Sequence, residues 1–308
     1  MKINRLRTEI QTLGEEYHKL VEADPQGFSK ILRRELPEAV YNSNAIEGST
    51  LTLKEVKSII IKGKVERAAS VKEIYRAKNL SLAADLAYEN LDQRLSVLLI
   101  LELHKKFLSG VNDVAAGQFR IDNRRAKKDA QAETSPEFVR ALLEDLIKRH
   151  NEDNREFLEK IAFFHVELLA MRPFPEGNGQ VARLLIDKEL MENGFPPIII
   201  QNKGCAAEYQ ALIKQYKKTG NCDELVIFFA LALVESLRKY IALLSSEKTM
   251  TLGKWAKNHN IKANIASNKA KRQSIPAFRH DGRWRINANY APAPDPSPWG
   301  DFITTPVE

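Results

Sequence analysis

Residues 172–183 read Arg-Pro-Phe-Pro-Glu-Gly-Asn-Gly-Gln-Val-Ala-Arg, and this stretch decides the predicted fold. Apolar residues at helical spacing precede it over 163–171. A helix there must end near Arg172, because the residue before a proline is disfavoured in the α conformation. A new apolar pattern of helical spacing begins over 181–186. The sequence therefore predicts a tight turn between two helices, with Gly-Asn-Gly at the N-terminus of the second.

The turn has the features of a phosphate-binding site. Gly177 and Gly179 permit backbone angles and close approaches that other residues resist, and the amides and dipole of a helix N-terminus attract anions. Glu176 lies just before the turn, where a carboxylate is placed to hold Mg²⁺ against phosphate oxygens. Arg183 follows about one helical turn later, with a planar guanidinium that suits a further phosphate. A plain loop between two core helices is the alternative that these glycines leave open.

The complete pattern resembles the signature of the Fic family, His-Pro-Phe-x-Asp/Glu-Gly-Asn-Gly-Arg-x-x-Arg. The agreeing positions are Pro173, Phe174, Glu176, Gly177, Asn178, Gly179 and Arg183. His165 ahead of the motif and the Gly-Gln-Phe-Arg segment at 117–120 extend the resemblance, which covers roughly residues 35–245. Fic proteins move AMP from ATP to a Ser, Thr or Tyr hydroxyl of another protein and release pyrophosphate.

The resemblance implies the roles of the site residues. Glu176 would bind Mg²⁺, and Phe174 would anchor the loop in the core. The residues that would bind the nucleotide are Gly177, Asn178, Gly179, Gln180 and Arg183. The basic loop at 124–128 would belong to a small β-hairpin flap, against which a segment of the target protein adds a strand.

Two positions depart from the signature. Arg172 stands where the family has the histidine that takes the proton from the attacking hydroxyl, and a guanidinium stays protonated and has no lone pair to offer. Loss of a general base slows transfer by roughly 10²–10⁴-fold. Gln180 replaces an arginine and adds no charge. His165 as a substitute base would lie about 10 Å along the helix from Arg172, which favours a structural role for it.

An upstream segment resembles the inhibitory motif of the same family, Ser/Thr-x-x-x-Glu-Gly/Asn. It reads Ser-Asn-Ala-Ile-Glu-Gly over 43–48, so that Ser43 and Glu47 stand at the defining positions. By this resemblance Glu47 would pair with Arg183 and occupy the place of the terminal phosphate. A solvated glutamate that ends a helix at Gly48 is the alternative interpretation of so short a pattern.

Residues 251–290 carry nine basic residues against Asp281 alone, whereas the whole chain has a net charge of +7. A local basic excess of this kind indicates a polyanionic partner. The segment predicts helices over 252–259 and 263–272, then two strands joined at Asp281-Gly282, a favoured two-residue turn. It resembles the winged helix-turn-helix of excisionase-like DNA-binding proteins. A basic adaptor for protein or RNA is the alternative.

The docking geometry of that motif assigns the DNA contacts. The second helix would enter a major groove, and the strand pair would form the wing. The predicted contacts are Asn264, Asn268 and Lys269 to base edges, and Lys271, Arg272, Arg283 and Arg285 to phosphates.

The predicted fold class is all-α, because helical spacing dominates to about residue 245. It consists of a Fic-fold helical domain with a small β-hairpin flap, followed by a small winged helix-turn-helix domain. The predicted parts are an N-terminal helical region with the inhibitory helix (1–92), the Fic core (93–248), the winged module (249–290) and a proline-rich flexible tail (291–308).

The composition, 44% hydrophobic and 28% charged over 308 residues, is that of a globular protein. The sequence shows no secretory signal and no apolar run of membrane-spanning length, which predicts a cytoplasmic protein without a membrane partner. Expected partners are a hydroxyl-bearing target protein, duplex DNA and a second copy of the chain. Two functions stay open: an autoinhibited AMP-transferase that Arg172 weakens or inactivates, and a non-catalytic, nucleotide-sensing transcriptional regulator.

Overall fold

A computed structural model describes residues 2–65, 68–122 and 135–292 of the chain. The described part is mostly helical with one small sheet, which confirms the predicted fold class. Its first ten helices are α1 (Lys2–Ala23), α2 (Pro25–Ile46), α3 (Leu53–Lys62), α4 (Val71–Glu89), α5 (Val97–Leu108), α6 (Pro136–Asn151), α7 (Phe157–Met171), α8 (Asn178–Glu192), α9 (Ala206–Thr219) and α10 (Asp223–Leu244). The predicted flap loop at 124–128 and most of the predicted tail lie outside the described residues.

Local chemistry sets several helix ends as predicted. Thr52 and Glu55 form a reciprocal capping box at the start of α3, and Gly63 ends that helix with a φ of 64°. The helix before the Gly-Asn-Gly turn ends at Met171, and Arg172 leaves the right-handed α region for the left-handed one, with a φ of 50°. Gly177, with a φ of 82°, then directs the chain into α8.

Two hydrophobic clusters form the core of the helical body, and α8 lies between them. One contains Leu184 and Leu185 of α8 together with side chains of α2 to α7. The other contains Ile186 and Leu190 of α8 together with side chains of α1, α7, α9 and α10. Because every residue from Gln180 to Leu190 is buried, packing on all sides fixes the position of the N-terminus of α8.

A C-terminal module follows the helical body and has its own small core. It comprises β1 (Thr249–Thr251), α11 (Leu252–Asn258), α12 (Ala263–Lys271), β2 (Ala277–His280) and β3 (Arg283–Asn287). The antiparallel sheet has the order β1-β3-β2, and positive φ angles at Asp281 and Gly282 form the predicted hairpin turn. Trp255 is fully buried in its core and donates from its indole nitrogen to the carbonyl of Tyr290 over 2.8 Å.

The hairpin of this module packs on the helical body at α2. The buried Glu38 carboxylate accepts hydrogen bonds from the amides of Asp281 and Gly282, over 3.0 and 2.9 Å. Lys239 of α10 pairs with Glu35, one turn earlier on α2, over 2.7 Å. The turn of the hairpin is therefore held by the same helix that carries Ser43.

None of the described helices combines the length and the apolar character needed to cross a membrane. The predicted division of the chain into four parts stays a prediction.

Candidate functional site

A cavity of about 500 Å³ opens in front of the Gly-Asn-Gly turn. Its wall comes from the end of α2, from α4, from the α7–α8 connection and from α9. Among its lining residues are the motif residues predicted to act in catalysis, nucleotide binding or metal binding, together with the predicted inhibitory glutamate, namely Glu47, Arg172, Glu176, Gly177, Asn178, Gly179, Gln180 and Arg183. Residues separated by more than 130 positions in the sequence thus face one space.

The α7–α8 turn is held by side-chain contacts within the chain. The side-chain amide of Asn178 accepts from the amide of Phe174 and donates to its carbonyl, over 2.9 and 2.8 Å. The Phe174 ring is fully buried and stacks on the imidazole of His104, with 3.8 Å between ring centroids. A side chain at Gly177 would meet the Phe107 ring at 3.0 Å. These contacts hold the turn in the observed conformation.

His104 of α5 is a site residue that the sequence analysis did not identify. Its Nδ1 accepts from the amide of Gly117 over 3.1 Å, so its Nε2 donates to the carbonyl of Glu176 over 3.0 Å. Burial lowers the pKa of His104 to about 4, although the bond to Glu176 opposes this shift. A neutral histidine thus joins the motif to the 117–120 segment.

Arg183 reaches out of α8 and meets the predicted inhibitory segment. Its Nη2 donates to a Glu47 carboxylate oxygen and to the Ser43 carbonyl, each over 2.9 Å, and its Nε donates to the Ser43 hydroxyl over 2.9 Å. A Cβ placed on Gly179 would lie only 2.0 Å from Glu47 Oε1. The carboxylate therefore sits directly against the start of α8, where a helix N-terminus attracts anions.

Sequence comparison relates part of the chain to a known family. Residues 94–190 match the Fic/DOC family. This region is a Fic domain. The protein adenylyltransferase fic-1 of Caenorhabditis elegans is 30% identical over 240 residues, which are 73% of this chain and 46% of that protein. The protein adenylyltransferase Fic of Drosophila persimilis is 28% identical over 272 residues, 82% of this chain and 50% of that protein. The chain thus spans about half the length of these relatives.

Solved structures resemble the fold in the same way. A fragment of Fic-1 from C. elegans superposes with a TM-score of 0.64 and 27% identity, covering 77% of this chain and 71% of the fragment. A Fic domain containing signaling protein from Bacteroides thetaiotaomicron reaches a TM-score of 0.69 at 22% identity, covering 78% of this chain and 98% of the other. The second similarity concerns the fold alone.

The two motif positions that depart from the family signature differ in their surroundings. Arg172 is exposed at the cavity of the Fic domain, and its carbonyl accepts from Nε of the buried Arg120 over 2.9 Å. Gln180 is buried, and its amide lies 3.4 Å from the side-chain oxygen of Asn44 on α2. The Gln180 side chain therefore contacts the predicted inhibitory segment as well as the cavity.

His165 has a structural role in the Fic domain, in agreement with the sequence-based interpretation. It is buried, and its two ring nitrogens pair with the Ala182 carbonyl over 3.2 Å and with the Tyr209 hydroxyl over 2.6 Å. Burial, together with the charge of Arg183, lowers its pKa to about 3. Tyr209 of α9 also lines the cavity, and no local pattern in the sequence indicated it.

Glu176, the predicted Mg²⁺ ligand, is engaged at both carboxylate oxygens. Oε1 accepts from the side-chain amide of Asn112 over 2.8 Å, and Oε2 pairs with Arg76 and, over 3.4 Å, with Lys72. Burial would raise the pKa of Glu176, but the Asn112 bond and the two cations lower it below its usual range. No cluster of three or more His, Cys, Asp or Glu side chains suited to a metal occurs among the described residues.

The predicted DNA-contacting residues all lie in the C-terminal module. Asn264, Asn268, Lys269, Lys271, Arg272 and Arg283 are exposed to solvent. Arg285 is partly buried and donates to the hydroxyl and the carbonyl of Thr249, over 2.9 and 3.2 Å. The basic surface of α12 is therefore open, whereas the turn of the hairpin and Arg285 are held by contacts within the chain.

Proposed function

We propose that the Fic domain of this protein binds ATP, that its transfer of AMP to a protein hydroxyl is weak or absent, and that its C-terminal module binds duplex DNA. The observation that carries the nucleotide part is the ion pair between Glu47 and Arg183 at the start of α8. A carboxylate occupies this site, beside the N-terminal end of a helix and a buried guanidinium. Such surroundings suit an anion.

The AMP-transfer reaction needs a proton acceptor that this chain lacks. In transfer, the hydroxyl oxygen forms a bond to the α-phosphorus of ATP. The bond between this phosphorus and the oxygen that bridges to the β-phosphorus breaks, and pyrophosphate leaves. The hydroxyl proton must pass to a base, and Arg172 at the position of the family's base cannot accept it. The buried, bonded His165 does not supply a replacement.

Glu47 opposes productive binding of the nucleotide by charge and by position. It competes with a terminal phosphate for Arg183, and its carboxylate lies against Gly179 in the space that the phosphate would need. Ser43 adds two hydrogen bonds that hold the Arg183 side chain toward α2. We infer that Ser43 and Glu47 together keep the cavity in an inhibited state.

The metal part of the prediction, Mg²⁺ at Glu176, stays a prediction. A bound divalent ion would neutralise charge on the phosphate oxygens. The two cations that already pair with Glu176 count against a metal at this carboxylate.

A nucleotide-sensing regulator is the second candidate, and one observation favours it. Helix α2 carries Ser43, beside the cavity, and also Glu38, which binds the hairpin turn of the C-terminal module. A nucleotide that displaces Glu47 would act on a helix that the module also holds. The existence of a hydroxyl-bearing target protein, the formation of a homodimer and the cytoplasmic location stay predictions.

An activity assay separates the two candidates. We expect Arg172→His combined with Glu47→Gly to restore AMP transfer, seen as label moving from α-labelled ATP onto protein, and we expect added Gln180→Arg to raise the rate. The unaltered chain should give no label, because it lacks a base and carries Glu47. Label on the unaltered chain would contradict the proposed role of Arg172. A triple variant that binds ATP yet stays silent would favour the sensor.

A further inference from the structure

We propose that Arg76 supplies the positive charge beside Glu176, so that the cavity of the Fic domain binds a nucleotide polyphosphate without a divalent metal ion. The proposal rests on the proposed function, because it takes the cavity as the nucleotide site. It concerns the source of the charge that balances the phosphates.

The Glu176 carboxylate already has partners at both of its oxygens. Arg76 and Lys72 stand one turn apart on α4, and both pair with Oε2 of this carboxylate. Asn112 donates to Oε1 over 2.8 Å. Two cations and a hydrogen-bond donor therefore already satisfy the one acidic side chain that the motif offers to a metal.

A magnesium ion at Glu176 would have to displace the partners of this carboxylate. Mg²⁺ binds carboxylate oxygens at about 2.0–2.1 Å in a strict octahedral shell and gives up its waters reluctantly. At Glu176 it would have to push away the Arg76 guanidinium and would leave two side-chain cations beside a doubly charged ion. The Arg76 and Glu176 side chains are only 24% and 23% exposed, so water screens this repulsion incompletely.

Arg76 also faces the region proposed to hold the phosphates. It lines the 500 Å³ cavity together with Gln180 and Arg183, and it also lines an adjoining cavity of about 220 Å³ with Gln180 and Lys72. Its buried Nε has no hydrogen-bond partner among the described residues. A guanidinium has five N–H donors in a planar fork, so Arg76 can hold Glu176 through one edge and a phosphate through the other.

Arg76 also compensates for the uncharged Gln180. At position 180 the family signature places an arginine, whereas this chain places a neutral amide that turns toward Asn44. Arg76 reaches the same wall of the cavity from α4 and brings a permanent charge. Arg76 thus keeps a positive charge near the phosphates, although position 180 carries none, and it closes the metal position.

The test is ATP binding by the full-length chain, measured by calorimetry in buffer with MgCl₂ and in buffer with EDTA. The Glu47→Gly variant serves as the background, because it leaves Arg183 free. We expect its dissociation constants in the two buffers to agree within about 3-fold. Adding Arg76→Gln should weaken binding in EDTA about 10-fold or more, the scale of one lost charge-assisted contact, and Mg²⁺ should then improve binding.

Matched variants exclude indirect effects. Lys78→Gln removes an equal charge from an exposed position of the same helix and should leave both dissociation constants unchanged. Arg76→Lys keeps the charge and should retain binding in EDTA, and thermal unfolding checks that each variant is folded.

The outcomes separate this inference from the proposed function. Binding by Glu47→Gly only in the presence of Mg²⁺ would overturn the inference and leave the proposed function standing, and so would an Arg76→Gln variant that binds normally in EDTA. No binding of ATP in either buffer would overturn the proposed function itself.

Discussion

His104 joins the α7–α8 turn of the candidate site to the rest of the Fic domain. It stacks on Phe174, donates to the Glu176 carbonyl and accepts from the Gly117 amide. The hydrogen bond from the Gly117 amide requires the neutral imidazole, because Nδ1 must be free to accept. Protonation of this one residue would therefore loosen the loop that carries the predicted metal and phosphate positions.

The pKa of His104 gives a prediction for stability against pH. Burial lowers this pKa from its ordinary value near 6.5 to about 4. The stabilisation is thus present above about pH 6.5 and is lost as the pH falls toward 4, since the unfolded chain takes up the proton first. We expect the free energy of unfolding to fall over this window, with a contribution from His104 of about 3 kcal/mol at most.

A His104→Gln variant isolates this contribution in urea unfolding experiments from pH 7.5 to 4. The variant should be less stable at pH 7.5 and should approach the unaltered chain at pH 4. His165 titrates lower still and remains in both proteins, so it cancels in the comparison. A constant difference between the two curves would contradict the assigned pKa.

Residues of the site were predictable where a local motif carried them. Glu47 and Arg183 came from two short patterns, and the structure brings them into contact. His104, Arg76 and Tyr209 were missed, because each comes from a different helix and has no neighbouring signal. Only tertiary packing places them at the cavity.

Helix α12 is the element on which the predicted DNA contacts depend. Its exposed basic and amide side chains face solvent, whereas Asp281 and Gly282 of the hairpin turn are bonded to Glu38. The sequence-based expectation placed most of the DNA contacts on or beside α12 and two, Arg283 and Arg285, on the hairpin. Because the side chains of α12 are exposed, we expect this helix to make the larger share of the predicted contacts.

We expect Lys271→Gln combined with Arg272→Gln to weaken binding of duplex DNA and to lower the slope of log K against log salt by about two. Fluorescence anisotropy at several salt concentrations measures this slope. Lys105→Gln with Lys106→Gln removes the same charge from exposed positions on α5 and serves as the control. Equal losses in both double variants would place the DNA contacts outside the module.

The ends of several elements could be predicted from local chemistry, whereas the small strand β1 could not. The capping box at Thr52, the stop at Gly63 and the turn at Asp281-Gly282 each depend on residues within a few positions. Strand β1 has three residues and is defined by its pairing with β3, between Thr249 and Asn287 for example. No pattern inside three residues predicts such a partner.

At the scale of the whole molecule, charged contacts join the C-terminal module to the helical body. Glu38 binds the hairpin turn, and Arg279 of β2 pairs with Glu235 of α10 over 2.7 Å. The sequence analysis treated the module as an appended unit, because the charges of separate segments say nothing about which of them meet. The contacts of Glu38 make α2 common to the module and the candidate site.

Glu38→Gln tests whether this connection stabilises the molecule. Glu38 is 1% exposed and accepts two backbone amides, so loss of its charge weakens both bonds and leaves Lys239 with Glu35 alone. We expect the free energy of unfolding to fall by about 1–3 kcal/mol and the amides of Asp281 and Gly282 to exchange hydrogen faster. Glu22→Gln, an equal change at an exposed position of α1, should alter neither quantity. Unchanged exchange at the hairpin turn in Glu38→Gln would mean that Glu38 does not hold the module to α2, and the link between nucleotide and module would lose its structural basis.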